Sequence, residues 1–299
     1  MAKERKRIVL IGEAMLELSR KGEDWRLGYG GDTLNTAIHL ARAGHDVAYL
    51  TALGRDPLGA ELKAKWAAEG LDTSLVLEHP TRSTGLYAIT TDRAGERSFT
   101  YWRETSAARE MLALPGSDEA LERAATANLI GFSLITLAIL PNEARDTLLA
   151  LARKIRVQGG HVAFDGNYRQ HLWSGHDEAR GARDAAIACA TIGLPTLEDE
   201  TALSGETEAA ATVKHWQGHG CGETVVKLGA RGCRLPDGTI VAPEAGLEPV
   251  DTSGAGDAFN AGYLGARLDG ASPVESARAG NALAAWTIKR PGSIPARES

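Results

Sequence analysis

Apolar residues along this chain fall into two alternating textures. Short aliphatic runs such as 7–12 and 47–53 are separated by longer stretches in which apolar positions recur every three or four residues. The first texture suits a strand buried on both faces and the second a helix lying over it, so the alternation predicts a parallel sheet between helical layers. After the first strand a helix is expected from about Thr33, with Leu34, Ile38 and Ala41 on one face and Gly44 ending it. Asp56-Pro57 opens a second helix that Gly70 closes, because Asp caps and Pro is tolerated at the first helical position. The rhythm resumes after residue 127. Strands are predicted at 129–132, 162–165, 191–194 and 224–228, helices at about 141–158, 176–189 and 207–217, and two long helices at about 255–268 and 273–289.

Two stretches break the alternation. Residues 15–18, and then 85–91 and 97–103 around the turn Asp92-Arg93-Ala94-Gly95, read as strands of a small antiparallel sheet projecting as a flap. No internal repeat, low-complexity tract or long linker divides the chain. A single domain over 1–299 is expected, with lid strands drawn from about 13–30 and 84–104.

Composition narrows the function classes. The 299 residues are 43% hydrophobic and 24% charged, which excludes a disordered or fibrous chain. Thirty-three Lys+Arg against 39 Asp+Glu give a net charge of -6, with no basic patch beyond the first seven residues, so no nucleic-acid partner is expected. Lys3 to Arg7 imitates the basic start of a signal peptide, but Glu13 interrupts the following apolar run, and the segment reads as a solubilising lead-in. The longest apolar stretch, 129–140, contains Ser133 and Thr136 and is far shorter than the roughly 20 residues of a membrane crossing. Cys189, Cys221 and Cys233 form no CxxC pair or disulfide framework, which fits a soluble protein of the reducing cytoplasm.

The segment most informative about chemistry is Asp251-Thr-Ser-Gly-Ala-Gly-Asp257. Gly254, Ala255 and Gly256 have little or no side chain, so an anion can approach the amides that open the helix bearing Phe259, Gly262 and Tyr263. Neither of the two best known glycine motifs fits: a GxGxxG would need Gly where Phe259 stands, and a Walker A loop would need Gly-Lys-Ser/Thr. Asp257, one residue past this cradle, is placed either to take a proton from an attacking hydroxyl or merely to sit in the first turn of a helix.

Asp251-Thr-x-Gly-Ala-Gly-Asp257, together with Gly30-Gly31 and Asn35 near the other end, resembles the two signatures of the ribokinase-like (PfkB) carbohydrate kinases. The resemblance runs the whole length and implies a three-layer αβα domain with a mostly parallel sheet and a β-strand lid. Gly12-Glu13 to Glu17, Gly31-Asp32 to Asn35, Gly95-Glu-Arg-x-Phe-x-Tyr101-Trp-Arg103 and Asn167-Tyr168-Arg169 to Trp173 look most like the members that phosphorylate 2-keto-3-deoxygluconate. What it implies is transfer of the ATP γ-phosphoryl to a sugar hydroxyl, with Asp257 as base and the amides of 254–256 as anion hole. The helix start is expected to keep Asp257 ionised.

An acid substrate needs a fixed cation. Arg103, at the end of the flap hairpin, and Arg169, after strand 162–165, suit a carboxylate by their fork geometry, with Tyr87 and Tyr101 offering rings and hydroxyls. The bland alternatives are a solvated hairpin charge and a cross-strand tyrosine pair. Arg169 is expected to be the more firmly held, being next to a core strand. By the same resemblance Gly31, Asp32 and Asn35 line the sugar site. Lys227, Gly229 and Gly232 form the nucleotide loop, Asn281 lines the adenine pocket, and Asn167 lies on the phosphate side. The family's Asn-x-x-Glu motif is replaced by Thr196-Leu-Glu198-Asp199-Glu200, so a Mg²⁺ role falls on Asp199 or an adjacent Glu. A neutral-sugar kinase and a non-catalytic sugar sensor are the alternatives, and exposed flap strands make a dimer plausible.

One motif stands apart. His215, His219 and Cys221 are spaced to suggest a transition-metal site, but no second cysteine pair or nearby carboxylate completes a ligand set, and Gly218, Gly220 and Gly222 suggest a fraying helix end.

Overall fold

The computed structural model describes residues 6–91 and 97–296. In chain order β1 (Arg7–Ile11) is followed by the hairpin β2 (Met15–Lys21) and β3 (Asp24–Gly30), α1 (Asp32–Arg42), β4 (Asp46–Gly54), α2 (Pro57–Ala68) and β5 (Val76–His79). A second hairpin, β6 (Gly85–Thr91) and β7 (Arg97–Trp102), precedes α3 (Ser117–Ala124), β8 (Leu129–Ser133), α4 (Leu134–Ile139), α5 (Asn142–Val157) and β9 (His161–Asp165). Then come α6 (His176–Ile187), β10 (Ile192–Gly193), α7 (Leu197–Ser204), α8 (Ala209–Gly218), β11 (Glu223–Thr224) and β12 (Val226–Lys227). β13 (Cys233–Arg234), β14 (Ile240–Val241), α9 (Ala255–Leu268) and α10 (Pro273–Ile288) complete it.

Seven strands in the order β11-β10-β9-β8-β1-β4-β5 pair parallel throughout. Alternate residues of β1 serve opposite cores. Ile8 and Leu10 pack with Leu34, Ile38, Phe259 and Leu264 of α1 and α9, whereas Val9 and Ile11 belong with Leu148, Ile187 and Trp216 of α5, α6 and α8. This is the expected αβα sandwich, and each such side chain contributes about 1.5–3 kcal/mol by leaving water. Because β1 lies between β4 and β8, the chain leaves the middle of the sheet in both directions. A crevice opens at the carboxyl ends of those strands, the usual ligand position in such sheets.

The lid is a four-stranded sheet, β3-β2-β6-β7. Its two hairpins are antiparallel, but β2 and β6 pair parallel from Met15↔Gly85 to Ser19↔Ile89, which corrects the expected all-antiparallel flap. Each hairpin departs on the strand that follows a strand of the parallel sheet, so the two outgoing strands lie side by side. The turn Asp92 to Gly95 lies outside the described residues. Among those described, no helix is long and apolar enough to cross a membrane.

Three local readings change. The apolar run 129–140 is a strand and then a helix, because Ser133 accepts from Thr136 N at 3.2 Å and caps α4. The run 224–228 divides into β11, which ends the central sheet, and β12, which begins a separate sheet β12-β13-β14. The acidic stretch after Thr196, to which the apolar pattern assigns no element, is α7.

Candidate active site

α1 and α9 both begin at the crevice. Gly254 precedes α9 with φ +71°, and a Cβ there would lie 2.6 Å from Ser293 Cβ, so conformation and packing both call for glycine. Buried Asp251 holds this turn, accepting from Ser253 N at 2.9 Å and from Gly292 N of the C-terminal segment at 2.8 Å. No side chain caps α9, which leaves first-turn amides to an anion. Of the three amides expected to form the hole, that of Ala255 is turned toward Thr252 O at 3.3 Å.

Asp257 Oδ2 accepts from Asn35 Nδ2 at 2.8 Å, and its carbonyl accepts from Thr36 Oγ1 at 3.2 Å, so α1 fixes both ends of the residue. Its pKa is pushed up to about 8, by burial first and then by the Asp32 carboxylate. The Asn35 hydrogen bond opposes this, Asp165 adds to it, and Lys227 opposes it. This runs against the expectation that the helix start keeps Asp257 ionised, because burial and two acidic neighbours favour the neutral form.

The sugar-side candidates gather around that carboxyl. Asp32 opens α1, bonds Thr33 N at 2.8 Å and accepts from Asn167 Nδ2 at 3.1 Å. Asn167, expected on the phosphate side, thus joins the sugar-side group. Gly31 has φ +153° and a Cβ there would fall 2.3 Å from Glu13 O, while one on Gly30 would meet Tyr87 Oη at 2.5 Å. These two glycines let the lid settle on the domain. Tyr87 and Tyr101 are cross-strand partners with rings 6.0 Å apart. Burial and Glu17, whose carboxylate accepts the Tyr87 hydroxyl, hold that phenol far above its usual range. Tyr101 stacks on His171 at 5.6 Å.

The two candidate arginines differ from expectation. Arg103 is 6% exposed, so it is no solvated hairpin charge; Nη2 donates to the Glu13 carboxylate, which also accepts from Ser106 Oγ, and the buried Nε of Arg103 has no hydrogen-bond partner among the described residues. Arg169 donates to Tyr168 O at 2.6 Å and to Asp199 Oδ1 at 3.2 Å, with its side chain 45% exposed. The flap arginine is therefore the more firmly held, reversing the predicted order, because Glu13 and the lid floor enclose it.

On the other side of Asp257, buried Lys227 donates to both Asp165 oxygens at 3.1 and 3.0 Å and to Asn260 Oδ1 at 3.2 Å. Asn260 Nδ2 donates to Asp165 at 2.6 Å and closes the triad. A Cβ on Gly256 would lie 3.6 Å from Lys227 Nζ, which sets that ammonium directly against the start of α9. Asp199 has its pKa raised to about 6, by burial first, with Arg169 opposing and Asp165 adding. Farther along, Asn281 donates to Val241 O at 2.9 Å beside a cleft of about 470 Å³ walled by Pro243, Ala282, Ala285 and Trp286. Gly229 (φ +60°) and Gly232 (φ +83°) turn the chain after β12, and a Cβ on Gly232 would strike Val241 O at 2.1 Å.

The arrangement sets the Asp257 carboxyl between the polar side chains near the lid and the uncapped start of α9. Residues 5–299 match the profile of the pfkB family carbohydrate kinases. The chain belongs to that family. It is 42% identical to the 2-dehydro-3-deoxygluconokinase of Dickeya dadantii, covering 97% of this chain and 96% of that one. It is 40% identical to the enzyme of the same name from Escherichia coli K12, covering 98% of each. Among solved structures it is similar to aminoimidazole riboside kinase from Salmonella enterica, complexed with aminoimidazole riboside and an ATP analog. The TM-score is 0.82 at 25% identity, covering 96% of this chain and 95% of that one.

Sequence reasoning missed several residues of this pfkB site. Asp165 ends the strand predicted at 162–165, and Asn260 stands one helical turn beyond Asp257; both positions were readable as facing the crevice. Glu13 and Glu17 carried no such local signal, since their partners Arg103 and Tyr87 are 90 and 70 residues away.

Proposed function

We propose that this pfkB kinase transfers the γ-phosphoryl group of ATP to the terminal hydroxyl of 2-keto-3-deoxygluconate, giving 2-keto-3-deoxy-6-phosphogluconate and ADP. The observation that carries the reading is the Asp257 carboxyl, bound by Asn35 and set beside the uncapped start of α9. The high identity to two 2-dehydro-3-deoxygluconokinases names the acceptor. In the reaction the acceptor oxygen bonds phosphorus while the bond to the β–γ bridging oxygen breaks, and the hydroxyl proton passes to Asp257. The amides at Gly254 and Gly256 receive the phosphoryl oxygens, where preorganised donors act on developing charge without reorganising. The Lys227–Asp165–Asn260 triad keeps the ammonium fixed beneath them.

Gly31, Asp32, Asn35 and Asn167 hold sugar hydroxyls, Tyr87 and Tyr101 cover the sugar, and Arg103 with Arg169 pairs its carboxylate. The adenine lies along the Asn281 cleft beyond the Gly229–Gly232 turn. Asp199 and Asp165 fit a Mg²⁺ carried on the triphosphate, because Asp199 is a half-buried carboxylate whose raised pKa a nearby cation would relieve. When bound, the ion offsets phosphate charge. The exposed lid residues Trp25 and Trp102, on the face away from Tyr87 and Tyr101, are covered by a second copy of the chain. The three free, buried cysteines accord with the reducing cytoplasm.

A neutral-sugar reading is favoured by one observation: both arginines already have internal carboxylate partners, Glu13 and Asp199. Comparing kcat/KM for the acid and for a neutral analogue in Arg103→Ala and Arg169→Ala separates the two. Each charge-assisted hydrogen bond lost is worth about 1.5–3 kcal/mol, so the variants lose roughly tenfold or more for the acid alone. Arg103 has the larger effect because it is the better enclosed. An equal loss for both substrates returns the neutral-sugar kinase to first place.

A further inference from the structure

On the face of the sheet opposite α1 and α9, α6 and the end of α8 bring Asp184, His215 and His219 together, with one ligand atom of each lying within 4.8 Å of the others. The sequence pointed to the two histidines but to a cysteine as their companion. Cys221 is buried elsewhere, with Sγ directed at Glu223 O, and the third group is a carboxylate from a helix about thirty residues earlier. We propose that Asp184, His215 and His219 form a binding site for a late first-row divalent metal ion, of which zinc is the representative, that ties α6 to α8.

The hydrogen bonds prepare one imidazole as a ligand and place the second beside it. His219 Nδ1 lies 2.9 Å from the carbonyl of His215, which can only accept, so the ring proton is on Nδ1 and the Nε2 lone pair is free. A backbone carbonyl on the second ring nitrogen is the usual way in which a metal-binding histidine has its tautomer fixed. His215 Nε2 lies between Arg183 Nη2 at 3.0 Å, which can only donate, and Asp184 Oδ1 at 3.1 Å, which can only accept, so a metal ion takes this nitrogen in its deprotonated form and releases any proton shared with the carboxylate. Both Nε2 atoms face the Asp184 carboxylate, that of His219 at 3.9 Å from Oδ2. Arg183 Nε already bonds Asp184 Oδ1, and a metal ion would join the carboxylate to both imidazoles at once.

The dimensions suit the ion. Metal–ligand bonds of ~2.0–2.2 Å place tetrahedral neighbours roughly 3.3 Å apart, between the two separations found. The three side chains are 31–43% exposed, so water can complete the coordination shell and the ion can enter from solvent. Nitrogen donors with one carboxylate favour zinc, copper or nickel over magnesium, which prefers oxygen. Arg183 Nη2 is the donor the ion displaces; that guanidinium keeps its bonds to Glu200 at 2.7 Å and to Asp184 at 3.0 Å.

The test is equilibrium titration of the full chain, without nucleotide or Mg²⁺, with zinc against a chromophoric chelator, and with cobalt followed by its visible absorption. The site predicts one equivalent bound, unaffected by millimolar Mg²⁺, and a melting temperature a few degrees higher with zinc at ~100 times its Kd. His219→Ala, at an exposed helix end, and Asp184→Asn, which preserves shape, each lower affinity by about tenfold or more. Their circular dichroism and metal-free kinase activity stay at wild-type levels. Absence of a stoichiometric site in the wild type, or unchanged affinity and cobalt spectrum in both variants, overturns the proposal.

Discussion

At Asp257 the carboxyl must be ionised to accept a proton, while burial and Asp32 favour its neutral form. A pKa raised to about 8 means that the basic form is gained as pH rises through that value and lost below it. The kcat/KM profile is therefore expected to climb with pH up to about 8, and Asp32→Asn to move that limb to lower pH by removing the like charge. An acid limb in the ordinary carboxylate range, or one that Asp32→Asn leaves in place, contradicts the assignment. Asp257→Asn keeps the shape and should lower kcat by ~10²–10⁴ with both substrates still bound. Retention of more than about a tenth of kcat, on that same scale, means another group takes the proton. Asp257 was visible in the sequence because it follows three small residues at a helix start. Its electrostatic setting was not, since Asp32 and Asp165 reach it only through folding.

α9 illustrates how an element's start carries chemistry. Gly256→Val places branched carbons between the first turn and Lys227, and should impair kcat more than sugar affinity. Loss of one hydrogen-bond donor to a developing anion costs about 2.7–4 kcal/mol. Gly254→Val meets Ser293 as well, so its melting temperature should fall along with its activity. Unchanged kcat in both variants would place the phosphoryl group elsewhere. In the opposite layer, Arg183 of α6 and Glu200 of α7 form an ion pair with both side chains 3% exposed, and Trp216 Nε1 of α8 donates to Glu200 at 3.2 Å. Glu200→Ala leaves the buried guanidinium only its Asp184 and His215 contacts and should cost up to about 3–5 kcal/mol, the scale for breaking a buried pair, read as a drop in denaturation midpoint. Long elements such as α9 and α10 were legible because each repeats its apolar period for several turns. The two-residue strands β13 and β14 have no period to read, the break between β11 and β12 left no mark in their shared apolar run, and α4 was hidden because its apolar face continues that of β8.

For the whole molecule, the lid joins recognition to assembly. Its inner face supplies Tyr87, Tyr101 and Arg103, with Phe99 packed beside the two tyrosines, while Trp25 at 48% and Trp102 at 57% exposure leave large apolar surface uncovered on the other face. Trp102→Glu is expected to shift the sedimentation profile from dimer to monomer. A wild-type monomer at micromolar concentration would place the interface elsewhere. On the proposed function, substrate choice would draw on these parts together: the two arginines, the lid beside Arg103 and the base beyond. The direct measurement is kcat/KM of the wild-type chain with ATP for 2-keto-3-deoxygluconate and for neutral ketoses such as fructose, followed as ADP release. With one charge-assisted bond of about 1.5–3 kcal/mol at the carboxylate, the acid should be preferred by roughly tenfold to a hundredfold or somewhat more. Equal rates, or preference for the neutral sugar, would contradict the account.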